Sequence, residues 1–221
     1  MKTTTKDQQT LSPHSTGYSL VNGIKMYYEI YGVGKPLILI HGGGSTIQTS
    51  FGRIIPQLSK DRQLIGVELQ AHGHTEDRDM PSSFKQDADD VAALLQNLHI
   101  SKADFLGFSN GGHTSMQLAI SHPEKVNRLI VASAFYKKDG VPTRFWESMN
   151  KATFSDMPEV YKDEFIKINN DPAALLSMFN RDSRRMQTFK DWSENDIQSI
   201  TAPTLLVLGD ADVVLPEHAI A

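Results

Sequence analysis

The alternation of hydrophobic and polar positions changes rhythm several times along this chain. Short β-type runs come first. YSLV (18–21) and IKMYYEIYG (24–32) flank Asn22-Gly23, a hairpin-turn pair. PLILIHGGG (36–44) is a continuous apolar run that ends in glycines, the pattern of a strand buried on both faces. TIQTSFGRIIPQLSK (46–60) reads as a first helix, kinked or delimited by Pro56, and RQLIGVEL (62–69) as the next strand. SFKQDADDVAALLQNLHI (83–100) is the clearest helix, with Phe84, Ala88, Val91, Leu94, Leu95 and Leu98 on one face. ADFLGF (103–108), NGGHTSMQLAISH (110–122) and VNRLIVASAF (126–135) continue as strand, helix, strand.

Residues 136–200 break that rhythm and read as three or four helices. TLLVLGDAD (204–212) resumes the strand pattern, and PEHAIA (216–221) opens a helix with Pro at its first turn. Alternating strands and helices predict an α/β fold with a mostly parallel twisted sheet and helices on both faces. The expected organisation is a flexible tail over 1–16, a core over 17–135 and 201–221, and a helical cap inserted at 136–200.

Composition narrows the function. Charged residues make up 22% and the net charge is −4, so no basic excess exists to bind nucleic acid. With no cysteine in the chain, disulfides, thiolate metal sites and a Cys nucleophile are excluded. The N-terminus is polar, without the apolar core of a signal peptide, and no run of ~18 apolar residues is present. The expectation is a cytoplasmic protein with no membrane partner. No metal-ligand spacing is visible and no cofactor is expected.

Chemistry concentrates at three strand ends. Gly107-Phe108-Ser109-Asn110-Gly111 is a G-x-S-x-G match between a predicted strand and a predicted helix. A nucleophile on so sharp a turn needs neighbours two residues away with almost no side chain. The helix behind Ser109 adds a positive dipole end and free N–H groups. His41-Gly42-Gly43-Gly44 ends another strand, where glycines let backbone amides approach a ligand atom. With the N–H of Asn110, that of Gly43, and after it that of Gly44, is a candidate oxyanion-hole donor. A phosphate cradle fits less well, because the Gly-Lys-Ser/Thr ending is missing. His41 reads as a turn-fixing residue. At the third strand end Asp210 and Asp212 each qualify as the carboxylate that orients an imidazole.

HGGG at 41–44, GFSNGG at 107–112 and GDADVVLP at 209–216, in that order, resemble the α/β-hydrolase superfamily. The similar branch holds esterases, lactonases and C–C hydrolases with a helical cap. The loop VELQAHGHTED (67–77) is also similar, with Ala71 where the family has glycine. The resemblance implies Ser109 as nucleophile and Asp212 as acid, the acid lying four residues before Pro216. A Ser rather than an Asp nucleophile favours acyl transfer to water. The expected function is hydrolysis of a carboxylic ester or related acyl bond through an acyl-enzyme on Ser109. The expected substrate is small, with a hydrophobic acyl group.

The family's general base is a histidine after an eighth strand, and only nine residues follow Asp212. The chain is therefore expected to be a shortened form lacking the last strand and helix, with an exposed edge at its seventh strand. None of the eight histidines makes a convincing substitute. His72 and His74 sit on the correct sheet edge, with another strand expected between them and Ser109. His113 is better suited to supporting the elbow. The alternative function is a non-catalytic small-molecule-binding protein of hydrolase fold. In the cap, Trp146, Met149 and Met178 are candidate substrate contacts, although packing of the lid is the commoner use of such residues. Arg181, Arg184 and Arg185 are candidates for a substrate carboxylate, or simply a solvated helix face. Sequence leaves the oligomeric state open.

Overall fold

A computed structural model describes residues 11–220. Its strands are β1 (Ser15–Val21), β2 (Ile24–Tyr31), β3 (Pro36–Ile40), β4 (Gln63–Val67), β5 (Ala103–Phe108), β6 (Val126–Ala132) and β7 (Thr204–Val207). Its helices are α1 (Ile47–Phe51), α2 (Ile55–Leu58), α3 (Phe84–Asn97), α4 (Asn110–Ser121), α5 (Thr143–Lys151), α6 (Glu159–Asn169), α7 (Pro172–Gln187), α8 (Glu194–Gln198) and α9 (Pro216–Ile220). The sheet runs β1-β2-β4-β3-β5-β6-β7. β1 and β2 form the hairpin predicted at Asn22-Gly23, and β2 lies antiparallel to β4. The pairs from β4 through β3, β5 and β6 to β7 are parallel.

Parallel central strands are buried on both faces, which explains their unbroken apolar sequence. Ile38, Ile40, Ile65 and Phe105 join Val91, Leu94 and Leu95 of α3 and Leu118 of α4 in the main core. Leu39, Leu64, Ile47, Phe51 and Ile55 fill the opposite face. Asp171 caps α7 by accepting from the amides of Ala173 and Ala174, with Pro172 at the first position.

Two sequence expectations need correction. The segment 46–60 is two short helices, because the chain turns at Gly52–Ile54 before Pro56 can start the second. The tail expected over 1–16 ends earlier, since β1 begins at Ser15 and the His14 amide donates to Ile30 O at 2.7 Å. Residues 1–10 of that tail lie outside the described residues. At the other side of the sheet, β7 is exposed along its whole length. No helix among the described residues is long and apolar enough to cross a membrane.

Candidate active site

Ser109 sits between β5 and α4 with φ 53° and ψ −117°. A non-glycine residue held there stores about 1–3 kcal/mol of backbone strain. The surroundings impose it. The Ser109 amide donates to Ala132 O at 2.8 Å, and the Ser109 carbonyl accepts the His113 amide at 3.1 Å. Gly107 and Gly111 are required by space. A Cβ on Gly107 would collide with the Gly111 carbonyl and Ser115 Oγ. A Cβ on Gly111 would collide with the carbonyls of Ile40 and His41. The elbow is thus locked against the end of β3, which carries the glycine loop.

His41 is fully buried at the start of that loop. Its Nδ1 lies 2.7 Å from Gly42 O, and its Nε2 accepts the Leu69 amide at 3.0 Å. This is a neutral ring donating through Nδ1, and burial pushes its pKa down to about 3. Ser45 Oγ also donates to Gly42 O, at 2.8 Å. Gly42 lies against the elbow: a Cβ there would be 3.4 Å from Ser109 Cβ. Gly43 is partly exposed, and Asn110, first residue of α4, has no intrahelical acceptor for its N–H. The elbow and the loop therefore bring Ser109, Gly43 and Asn110 to one edge of the sheet. Gly44 is different. Its N–H donates to Asp182 Oδ2 at 2.7 Å, so it is not free to serve as a second oxyanion donor.

Asp212 follows β7 on the same sheet edge. Its carboxylate accepts Ser133 Oγ and the amides of Val214 (3.0 Å) and Gly209 (3.3 Å). Burial alone would raise its pKa, but these donors outweigh it and hold the group below the usual range. Asp210 is exposed. Among the described residues no hydrogen bond joins an imidazole to Asp212 or to the Ser109 hydroxyl. His218 accepts the Tyr136 amide at 3.2 Å and stacks on the Tyr136 ring at 4.5 Å. His74 pairs with Glu68 at 2.9 Å. His113 places Nδ1 3.0 Å from the Ser109 carbonyl, and burial among Phe84, Phe135, Phe189 and Trp192 pushes its pKa down to about 4.

The cap presses on the glycine loop from above. Met157 Cε and Tyr161 Cδ2 would lie 3.4 and 4.0 Å from a Cβ on Gly44. Met178 is only 1% exposed, packed with Phe165, Leu175 and Met157, so it offers no free surface to a substrate. Trp146 and Met149 are half-buried against the Phe135–Phe189 cluster, and Trp146 Nε1 donates to Lys138 O at 2.9 Å. The arginines divide as well. Arg181 is spent on Asp77 and the Met80 and Arg78 carbonyls, Arg185 on Asp87 and Asp182, and Arg184 is exposed. All three line one open pocket with Met80, Leu176 and Ser177, in which Arg181 and Arg185 already donate to protein partners.

Sequence reading missed Asp182 and gave no structural role to His72. His72 faces Gln70 O through Nδ1 (2.9 Å) and Asp182 Oδ2 through Nε2 (3.0 Å). Burial pushes the imidazole pKa down, but the carboxylate and carbonyl outweigh it and hold it above the ordinary value. Burial would raise Asp182, yet His72 and Arg185 hold it far below the usual carboxylate range. The only local hint was an acid at the centre of an amphipathic helix. Ala71, beside His72, has φ 66°, a conformation that glycine adopts without cost.

A parallel sheet crossed by helices, a strained Ser at a strand–helix turn and a glycine loop beside it define a hydrolase-type α/β enzyme. The chain belongs to the alpha/beta hydrolase fold family, whose model matches residues 35–195. It is 25% identical over 227 residues to the 2-hydroxymuconate semialdehyde hydrolase of Pseudomonas sp. strain CF600, covering 93% of this chain and 80% of that one. It is 27% identical over 222 residues to the 2-hydroxy-6-oxo-2,4-heptadienoate hydrolase of Pseudomonas putida F1, covering 89% and 79%. Among solved structures, the meta-cleavage product hydrolase of Pseudomonas fluorescens IP01 superposes with a TM-score of 0.75 at 22% identity, covering 92% of this chain and 83% of that one. The enol-lactonase of Burkholderia xenovorans LB400 gives a TM-score of 0.70 at 19% identity, covering 92% and 85%.

Proposed function

We propose that this enzyme is a serine hydrolase that cleaves a bond beside a carbonyl through an acyl-enzyme on Ser109. The carrying observation is the strained backbone of Ser109 at φ 53°, which sets this partly exposed residue at the N-terminus of α4. Ser109 Oγ attacks the substrate carbonyl, and the N–H groups of Gly43 and Asn110 receive the developing oxyanion. The serine proton passes to an imidazole base that Asp212 orients and stabilises; among the described residues no histidine hydrogen-bonds the Ser109 hydroxyl or Asp212. The tetrahedral adduct collapses and expels the leaving group, which takes up the proton from the base. Water then hydrolyses the acyl-enzyme to release the acid and free Ser109. Carboxylic esters are the first substrate class. Lactones and carbon–carbon bonds next to a carbonyl follow, in keeping with the names of the relatives. The proposed acyl group is small and hydrophobic, bounded on the cap side by Met157 and Tyr161 over Gly44. No cofactor enters this chemistry, and the proposed location is cytoplasmic.

The test is hydrolysis of p-nitrophenyl acetate and butyrate with fluorophosphonate labelling of the whole protein. Turnover and label at Ser109, both lost in Ser109→Ala, support the reading. Unchanged turnover in that variant overturns it, and absence of both in the wild type favours a binding protein of hydrolase fold.

A further inference from the structure

Gly43 sits between two peptide planes, and each is anchored from a different part of the molecule. The plane that carries the Gly43 N–H also carries the Gly42 carbonyl. That carbonyl accepts from His41 Nδ1 at 2.7 Å and Ser45 Oγ at 2.8 Å, both in the core. The next plane carries the Gly44 N–H, which donates to Asp182 Oδ2 at 2.7 Å, and Asp182 belongs to cap helix α7. Glycine has the widest conformational freedom of any residue, so three in a row keep one shape only when held from outside.

The carboxylate that does the holding is itself fixed. Arg185, one turn along α7, donates to Asp182 Oδ1 at 2.5 Å and to Asp87 Oδ2 on α3 at 2.5 Å. The Arg185 guanidinium lies 4.8 Å over the Phe84 ring. His72 Nε2 meets Asp182 Oδ2 at 3.0 Å as a donor. Gly44 N is also 3.2 Å from that nitrogen, which faces the carboxylate and leaves the amide to Asp182. Asp182 Oδ2 lies 2.9 Å from where a Gly43 Cβ would be. A cap carboxylate thus rests directly on the proposed oxyanion donor's residue.

We infer that Asp182 is a positioning residue of the oxyanion loop, through which the seated cap completes the site. This rests on Gly43 acting as an oxyanion donor. With the cap seated, Asp182 fixes the second plane and so holds Gly43 in place beside the elbow. With the cap lifted, the Gly44 amide loses its shorter acceptor, keeps only His72 Nε2 at 3.2 Å, and the loop relaxes. Attack by Ser109 is then confined to the state in which the cap is seated.

The same helix provides a control. Arg181 ties α7 to Asp77 and to the Arg78 and Met80 carbonyls without touching the glycine loop. The experiment compares Asp182→Ala, Asp182→Asn, Arg181→Ala and Ser109→Ala in the whole protein. It reads amide hydrogen exchange over residues 42–45, and kcat and KM on p-nitrophenyl acetate. Asp182→Ala is expected to raise exchange in that loop and to lower kcat between about ten- and a hundredfold with little change in KM. Asp182→Asn keeps an acceptor for the Gly44 N–H and recovers protection and most of kcat. Arg181→Ala, which weakens a cap tether but leaves the Gly44 acceptor in place, changes loop protection and kcat much less than Asp182→Ala. Equal effects of Asp182→Ala and Arg181→Ala overturn the inference, as does an Asp182→Asn variant that folds but behaves like the alanine. Turnover lost in Ser109→Ala but unchanged in Asp182→Ala overturns the role of Asp182 alone. Turnover unchanged in Ser109→Ala overturns the acyl-enzyme reading beneath it.

Discussion

Ser109 carries the largest local conflict between stability and use. Its φ of 53° is unfavourable for a side-chain-bearing residue, while glycine takes it freely. Ser109→Gly is therefore expected to gain about 1 kcal/mol of stability, a rise of roughly 2–4 °C in Tm, while losing turnover. Ser109→Ala should lose at least about a thousandfold in kcat without that gain, because it keeps a Cβ in the strained position. Thermal melts and ester hydrolysis on the same two samples check both statements. The elbow was legible in sequence because its cause is local: Gly107 and Gly111 are needed wherever a strand turns this sharply into a helix. The Gly44 amide was not legible, since its acceptor lies 138 residues away.

At the scale of elements, cap helix α7 is bound to the core by two kinds of contact. Met178, Leu175 and Phe165 of the cap close a small apolar cluster with Ala71 of the core. Arg181 and Arg185 hold Asp77 and Asp87 across the same boundary. Truncating the buried Met178 side chain to alanine is expected to cost about 2–5 kcal/mol. The loss should appear as an early loosening of the cap, seen by hydrogen exchange in α6 and α7 before the sheet opens. A uniform loss of protection across β3, β5 and α3 would show that cap and sheet unfold as one. Periodicity revealed these helices because an amphipathic stripe is written every three to four residues. It did not say which stripe residues meet substrate and which meet other helices, since the two uses have the same pattern. Met178 is the example: a candidate substrate contact in sequence and a packed core residue in the structure.

The whole molecule registers pH through buried histidines of opposite kind. His41 and His113 are held neutral, at about 3 and about 4 against 6.5 when unfolded. Between pH 6.5 and those values the unfolded chain binds protons that the folded chain cannot. Each ring then removes about 1.4 kcal/mol per pH unit as acidity rises. His113→Phe fits an aromatic cage already made of Phe84, Phe135 and Phe189, and the Ser109 carbonyl keeps the His113 amide. Relative to wild type it should be about 2 kcal/mol more stable at pH 5 than it is at pH 7.5. Denaturant titrations at the two pH values measure this, and equal differences would contradict it. His72 works the other way. Its raised pKa makes its contribution complete below 6.5 and lost as pH rises through the higher folded value. His72→Gln should lack that alkaline decline.

Sequence alone determined the order of strands and helices, the hairpin at Asn22-Gly23 and the elbow at Ser109. These follow from periodicity and from crowding among residues a few positions apart, so the information lies within each short stretch. It also showed three chemical strand ends, at 41–44, 107–112 and 209–216. Tertiary structure decided how the glycine loop is completed. Nothing local marks Asp182, among 26 acidic residues, as the one that takes the Gly44 amide and meets His72. A buried carboxylate survives only where donors converge on it, and here they come from the β3 loop, the β4 loop and α7 itself. Folding brings those three together, and only then does the cap become part of the site.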